Sequence, residues 1–112
     1  MACKVIWADA AQDDLDAAAS YIYRDSPAYA ASFVNRALKA GRSLATFSMR
    51  GRIVREFGDA NVREIFVFSY RLIYRVEENR VSVLSLIHGS REFQKAWDER
   101  DRDRAYNQEI DQ

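Results

Sequence analysis

At 112 residues the chain has the length of one domain, and 48% hydrophobic content is enough for a real core. Its single cysteine, Cys3, excludes an internal disulfide and a thiolate metal cluster, so a reducing compartment, the cytoplasm, is expected. No apolar run approaches the roughly 18 residues of a membrane span and no signal-peptide pattern opens the chain, so no membrane partner is expected.

Net charge is zero, with an uneven distribution. Residues 1–91 hold 13 Lys+Arg against 10 Asp+Glu, whereas residues 92–112 hold 4 against 7. Arginine outnumbers lysine 14 to 3, and arginine suits planar, bidentate contact with carboxylate or phosphate.

In chain order, Lys4-Val5-Ile6-Trp7 is short and β-prone, a first strand. Asp9 is placed to cap a helix, with Gln12 completing a capping-box pattern. Ala11, Leu15, Ala18 and Ile22 then share one helical face. Asp13, Asp14 and Asp16 lie in the first turns, where the helix dipole favours negative charge, and read as solvated residues rather than metal ligands. Ser26-Pro27 opens a second helix, with Ser26 as N-cap. Its apolar face runs through Ala30, Phe33, Val34, Ala37, Leu38, Gly41, Leu44 and Ala45. The short connection predicts an antiparallel helical hairpin, whose small residues let the two helices approach.

From Met49 the period changes to two. Arg52 to Phe57 reads as a strand, Gly58-Asp59-Ala60-Asn61 as a turn and Val62 to Phe68 as the next strand. Ser69-Tyr70 is the tightest candidate turn. Arg71 to Val76 follows as a strand, then a hairpin loop at Glu77–Arg80 in which Asn79 suits the left-handed conformation. Val81 to Ile87 is nearly all apolar, as in a strand covered on both faces. The expected fold is α+β, in the order β-α-α-β-β-β-β, with the N-terminal α-hairpin on one face of a mostly antiparallel sheet. Residues 1–91 form the domain, and residues 92–112 form a charged helical or mobile tail with Phe93 and Trp97 as its large apolar residues.

Neither a Gly-rich phosphate loop, a G-x-S-x-G elbow nor a Cys/His metal set is present, so no cofactor or metal is expected. Arg50, Arg52, Arg55, Arg63, Arg71, Arg75 and Arg91 lie on or beside the strands, with His88, the only histidine, at the end of the last. Two readings compete. The arginines hold RNA phosphate and stabilise the charge of strand scission while His88 moves protons. Alternatively they pair with carboxylates such as Glu56 and Glu64 and shape a protein-binding surface, with His88 as a structural residue at a strand end.

Residues 4–91 resemble the RelE/ParE superfamily of toxins from type II toxin–antitoxin systems. The resemblance rests on the V-I-W start, Ala11 to Leu15, Tyr21-Ile22 ending in Ser26-Pro27, and Gly51-Arg52. It continues through Val62-Arg63-Glu64-Ile65, Tyr70 to Val76 as YRLIYRV, and the closing Ile87-His88-Gly89-Ser90-Arg91. The finer pattern, with its H-G-x-R ending, is similar to the ParE branch. That branch implies a toxin that blocks DNA gyrase without hydrolytic chemistry and is neutralised by a cognate antitoxin. The RelE branch implies instead an endoribonuclease that cuts mRNA on the ribosome, with Arg63, Arg71, His88 and Arg91 as the catalytic candidates; an inactive relative is the remaining alternative. The neutral net charge and the acidic tail after Arg91 depart from both branches.

Overall fold

The computed structural model describes residues 3–89; the expectations for the tail and for Arg91 lie outside them. Strand β1 (Lys4–Trp7) leads into helices α1 (Asp9–Tyr23) and α2 (Pro27–Ser43), followed by β2 (Arg52–Ile53), β3 (Val62–Val67), β4 (Tyr70–Val76) and β5 (Arg80–His88). The five strands form one sheet in the order β1-β5-β4-β3-β2. All neighbours are antiparallel except β1, which lies parallel to β5. The fold is therefore the expected α+β arrangement, two helices against one face of a mixed sheet.

The main core lies between the hairpin and the sheet. Ala11, Leu15 and Ala18 of α1 and Phe33, Ala37 and Leu44 of α2 pack on Ile65, Val67, Leu72, Tyr74, Val81, Val83 and Leu86. Leu38, assigned to the apolar face from spacing, is exposed. Gly41 serves the sheet rather than the helix pair, since a Cβ there would stand 3.0 Å from the Trp7 indole nitrogen.

Helix α1 begins one residue earlier than the capping pattern suggests. Ala8 is the N-cap and carries no side-chain bond, while Gln12 donates its side-chain amide to the Trp7 carbonyl at 3.1 Å. The cause is the sheet: the Ala8 N–H extends the β1–β5 pairing to the Val83 carbonyl at 2.9 Å, which fixes where the chain turns. Ser26 does cap α2, accepting from the Tyr29 N–H at 3.1 Å. Asp14 is more than a solvated dipole partner. Because β1 pairs only as far as Val83, Leu86 has no strand on its β1 side, and Asp14 Oδ2 accepts its N–H at 2.9 Å.

The expected strand Arg52–Phe57 is a strand only at Arg52–Ile53; Arg55–Phe57 is a turn of 3-10 helix. Alternation would send Val54 and Phe57 to opposite faces. The turn instead brings both onto one small core with Val62, Ile73, Ile87 and Leu84. That core lies on the far side of the sheet from the helices. The β3–β4 turn is Phe68-Ser69, one residue earlier than expected, with Val67 opposite Tyr70. Phe68 has a φ of 53°, a costly conformation for a bulky residue. Its ring is held by Tyr29 at 5.1 Å, Phe33 at 6.2 Å and the Arg36 guanidinium at 4.8 Å. Asn79 does not adopt the left-handed conformation, because Phe68 is the one non-glycine residue with positive φ among the described residues. The β4–β5 hairpin is closed instead by the Glu77 carboxylate, which accepts from Arg80 Nε at 2.5 Å and Ser82 Oγ at 3.1 Å. These contacts, the Arg80 hydrogen bond foremost, hold the Glu77 carboxyl below its usual range.

Candidate functional site

The sequence candidates do not converge. Arg63 pairs with Tyr74 across β3 and β4, and paired residues share a face. It therefore rises on the helix side, with Ile65 and Val67. There it donates from Nη1 to the carbonyls of Gly51 (2.9 Å) and Met49 (3.3 Å), and from Nε to that of Ala60 (3.1 Å). Arg63 thus holds the segment leaving α2 against the sheet. Arg71 stands on the opposite face, paired with Phe66 and Ile87. Its Nε donates to Glu64 Oε2 at 2.7 Å, its Nη2 is ion-paired to the same oxygen, and Glu56 lies 3.9 Å away. His88 is exposed at the end of β5, edge-on to the Tyr70 ring with centroids 5.0 Å apart. Of the four candidates, then, Arg63 braces a loop, Arg71 sits in an ion-pair network and His88 ends an aromatic row, while Arg91 is outside the described residues.

The expected pairing of arginines with Glu56 and Glu64 is what the far face contains. Glu64 is buried, and each of its carboxylate oxygens takes one arginine: Oε1 accepts from Arg52 Nε at 2.6 Å and Oε2 from Arg71. Arg52 itself is largely solvent-exposed and lies over the Phe66 ring at 5.3 Å. Arg55 is exposed and its side chain makes no ion pair or hydrogen bond among the described residues. Arg52, Ile53, Arg55, Glu56, Glu64 and Arg71 line a concave basin of about 730 Å³, and Arg63 borders it from β3. This is a positively biased, preorganised surface whose innermost guanidinium is already occupied.

Sequence reasoning missed the aromatic row. Phe33 packs on Tyr70 at 5.0 Å, Tyr70 on His88, and Tyr29 on Phe68, so the row crosses from α2 to the end of β5. Burial, then the nearby Tyr21, pushes the Tyr70 hydroxyl above the ordinary tyrosine range. The signal was the run of aromatics around the Phe68-Ser69-Tyr70 turn, but a turn one residue off assigns their faces wrongly.

A family model described as the ParE toxin of type II toxin–antitoxin systems, parDE, matches residues 5–93. The chain belongs to the ParE toxin family. Among solved structures, it is similar to a chain of the chromosomal ParDE toxin–antitoxin system from P. aeruginosa, with 20% identity and a TM-score of 0.65. The match covers 77% of this chain and 95% of that one. At that identity the likeness carries the fold. A search of curated proteins found no match. No helix among the described residues is long and apolar enough to cross a membrane. On this ParE fold the outer side of the helical hairpin carries an apolar groove of about 440 Å³, lined by Ala19, Tyr23, Pro27, Ala30, Ala31 and Val34.

Under the basin, Tyr74 links the sheet to the start of β2. It is fully buried, and its hydroxyl accepts the Gly51 N–H at 2.9 Å. Burial raises its pKa above the ordinary value near 10, opposed in part by the Gly51 hydrogen bond and by Arg63 and Arg50. The unfolded chain then ionises first, so this contribution to stability is complete below about pH 10 and is lost as pH rises through the folded value. Tyr74→Phe leaves the Gly51 N–H without its partner and is expected to cost about 1–2 kcal/mol at neutral pH. It should also flatten the alkaline loss of stability. Urea unfolding at neutral pH and above pH 10 checks both expectations.

Proposed function

We propose that this ParE-family chain is a toxin that inhibits DNA gyrase by stabilising the gyrase–DNA cleavage complex, and that a cognate antitoxin neutralises it. Family membership supports the toxin reading. The observation that favours inhibition over strand scission is that both candidate arginines are already engaged. Arg63 and Arg71 lie on opposite faces of the sheet, with Arg63 bound to backbone carbonyls and Arg71 to a buried carboxylate. A charge-stabilising pair for a scissile phosphate needs guanidinium donors preorganised toward the developing charge rather than committed to protein acceptors. The arrangement favours recognition. An apolar groove on the helical hairpin and a basic basin on the far face give an amphipathic, acidic antitoxin segment two complementary surfaces.

Expression of the chain is expected to arrest growth, and co-expression of a small protein encoded beside it to restore growth. Continued growth at high levels of folded product would contradict the reading. His88→Ala is expected to leave both the arrest and the melting temperature essentially unchanged, because His88 is exposed at the outer end of the aromatic row. Loss of toxicity at unchanged melting temperature would instead indicate proton transfer by His88.

A further inference from the structure

We infer that the basin on the far face is the docking site, in cis, of this chain's own acidic segment, residues 92–112, which competes there with any other anionic ligand. The occupant is suggested first by where the chain leaves the sheet. A Cβ placed on Gly89, the last described residue, would stand 3.9 Å from the Phe66 ring. Phe66 is 56% exposed, and the Arg52 guanidinium at the basin's rim lies over it at 5.3 Å. The described chain therefore ends next to the ring that the basin's rim arginine covers.

Reach and composition agree with that position. From β5 to β2 is three strand spacings, about 14 Å. Asp98 lies nine positions after Gly89, and an extended chain of that length spans up to about 30 Å. The segment holds seven acidic residues against four basic ones. Three far-face arginines, Arg52, Arg55 and Arg71, line the basin against Glu56 and Glu64; Arg63 also borders it, but its guanidinium is held by backbone carbonyls. Arg52 engages Glu64 through Nε, and Arg55 makes no side-chain bond among the described residues, so both have donors to offer. Exposed Ile53 and Phe66 border the arginines, and the segment supplies Phe93 and Trp97.

Two further points single out this occupant. The ParE family match ends at residue 93, and 77% of this chain suffices to cover 95% of the similar ParDE chain. Most of the acidic segment is thus additional to what those proteins share. Exposed ion pairs are individually weak and screened by salt. A segment tethered in cis, however, acts at an effective concentration of the order of millimolar, so weak pairs suffice to keep the basin covered and to yield to a tighter ligand.

The test uses the isolated full chain with Cys3→Ser and Asn107→Cys, carrying a nitroxide spin label at position 107. Amide signals of Arg55 and Phe66 should lose most of their intensity relative to the reduced label. They should recover when ionic strength is raised, and when Arg55→Glu is added. Neutralising Asp98→Asn, Glu99→Gln, Asp101→Asn and Asp103→Asn without a label should shift the same two amides, while the dispersion of the remaining signals reports that the chain stays folded. Full intensity at Arg55 and Phe66 in the labelled chain would overturn the proposal. So would broadening confined to Tyr23 and Ala31 in the helical groove. Broadening that appears only when spin-labelled and isotope-labelled chains are mixed would assign the contact to a second copy, and would equally overturn docking in cis.

Discussion

Glu64→Ala is expected to lower the stability of the fold by about 3–5 kcal/mol, the cost of removing one partner from a buried ion pair. Glu64 is 4% exposed, and the Arg71 side chain bonded to it is 14% exposed. Without the carboxylate, Arg71 loses its short ion pair, and Glu56 lies farther off at 3.9 Å. Arg52 suffers less, since its side chain is 68% exposed and can be hydrated. The effect should therefore pass through Arg71, and a double-mutant cycle tests that route. Arg71→Met combined with Glu64→Leu removes both charges and should recover most of the loss. Urea midpoints at constant slope measure the cycle. A double variant as unstable as Glu64→Ala would show that the pair is not the cause.

Phe33→Ala is expected to cost about 3–5 kcal/mol, because truncating a fully buried phenylalanine removes its transfer energy and leaves a cavity. Phe33 is wholly enclosed between α2 and the sheet, 5.0 Å from Tyr70 and 6.2 Å from Phe68. Its loss also releases Phe68, whose left-handed backbone is held by the rings around it. Against a total stability of about 5–15 kcal/mol, this one change can unfold a fraction of the protein at growth temperature. Phe66→Ala provides the contrast. Phe66 is exposed on the far face, and its truncation should change stability by no more than about 0.5 kcal/mol. Thermal and urea unfolding of the two variants separate a core ring from a surface ring.

The layout of the fold was legible because its signals are local. Ser26-Pro27 marks the second helix, the apolar spacing of Ala11, Leu15 and Ala18 marks the buried face of the first, and period-two alternation marks β3 and β4. The pairing of arginines with Glu56 and Glu64 was also readable, since opposite charges at alternating strand positions are placed to meet. Non-local effects account for the rest. The parallel seat of β1 beside β5 joins residues more than seventy positions apart, and it shifts the start of α1 and recruits Asp14 to Leu86. The 3-10 turn at Arg55–Phe57 forms because a second core exists on the far face to receive Val54 and Phe57. Alternation within that segment has no knowledge of such a core. The placement of the candidate arginines was not legible for a related reason. Arg63 and Arg71 are both strand arginines in the sequence, yet strand parity and the β3–β4 register send them to opposite faces.

The measurement that tests the central claim most directly is a gyrase supercoiling and DNA-cleavage assay with the purified chain. Inhibited supercoiling together with accumulation of gyrase-cleaved DNA, relieved by a cognate antitoxin, is the predicted result. Unaffected gyrase, together with codon-positioned mRNA cuts in a translating extract, would contradict it.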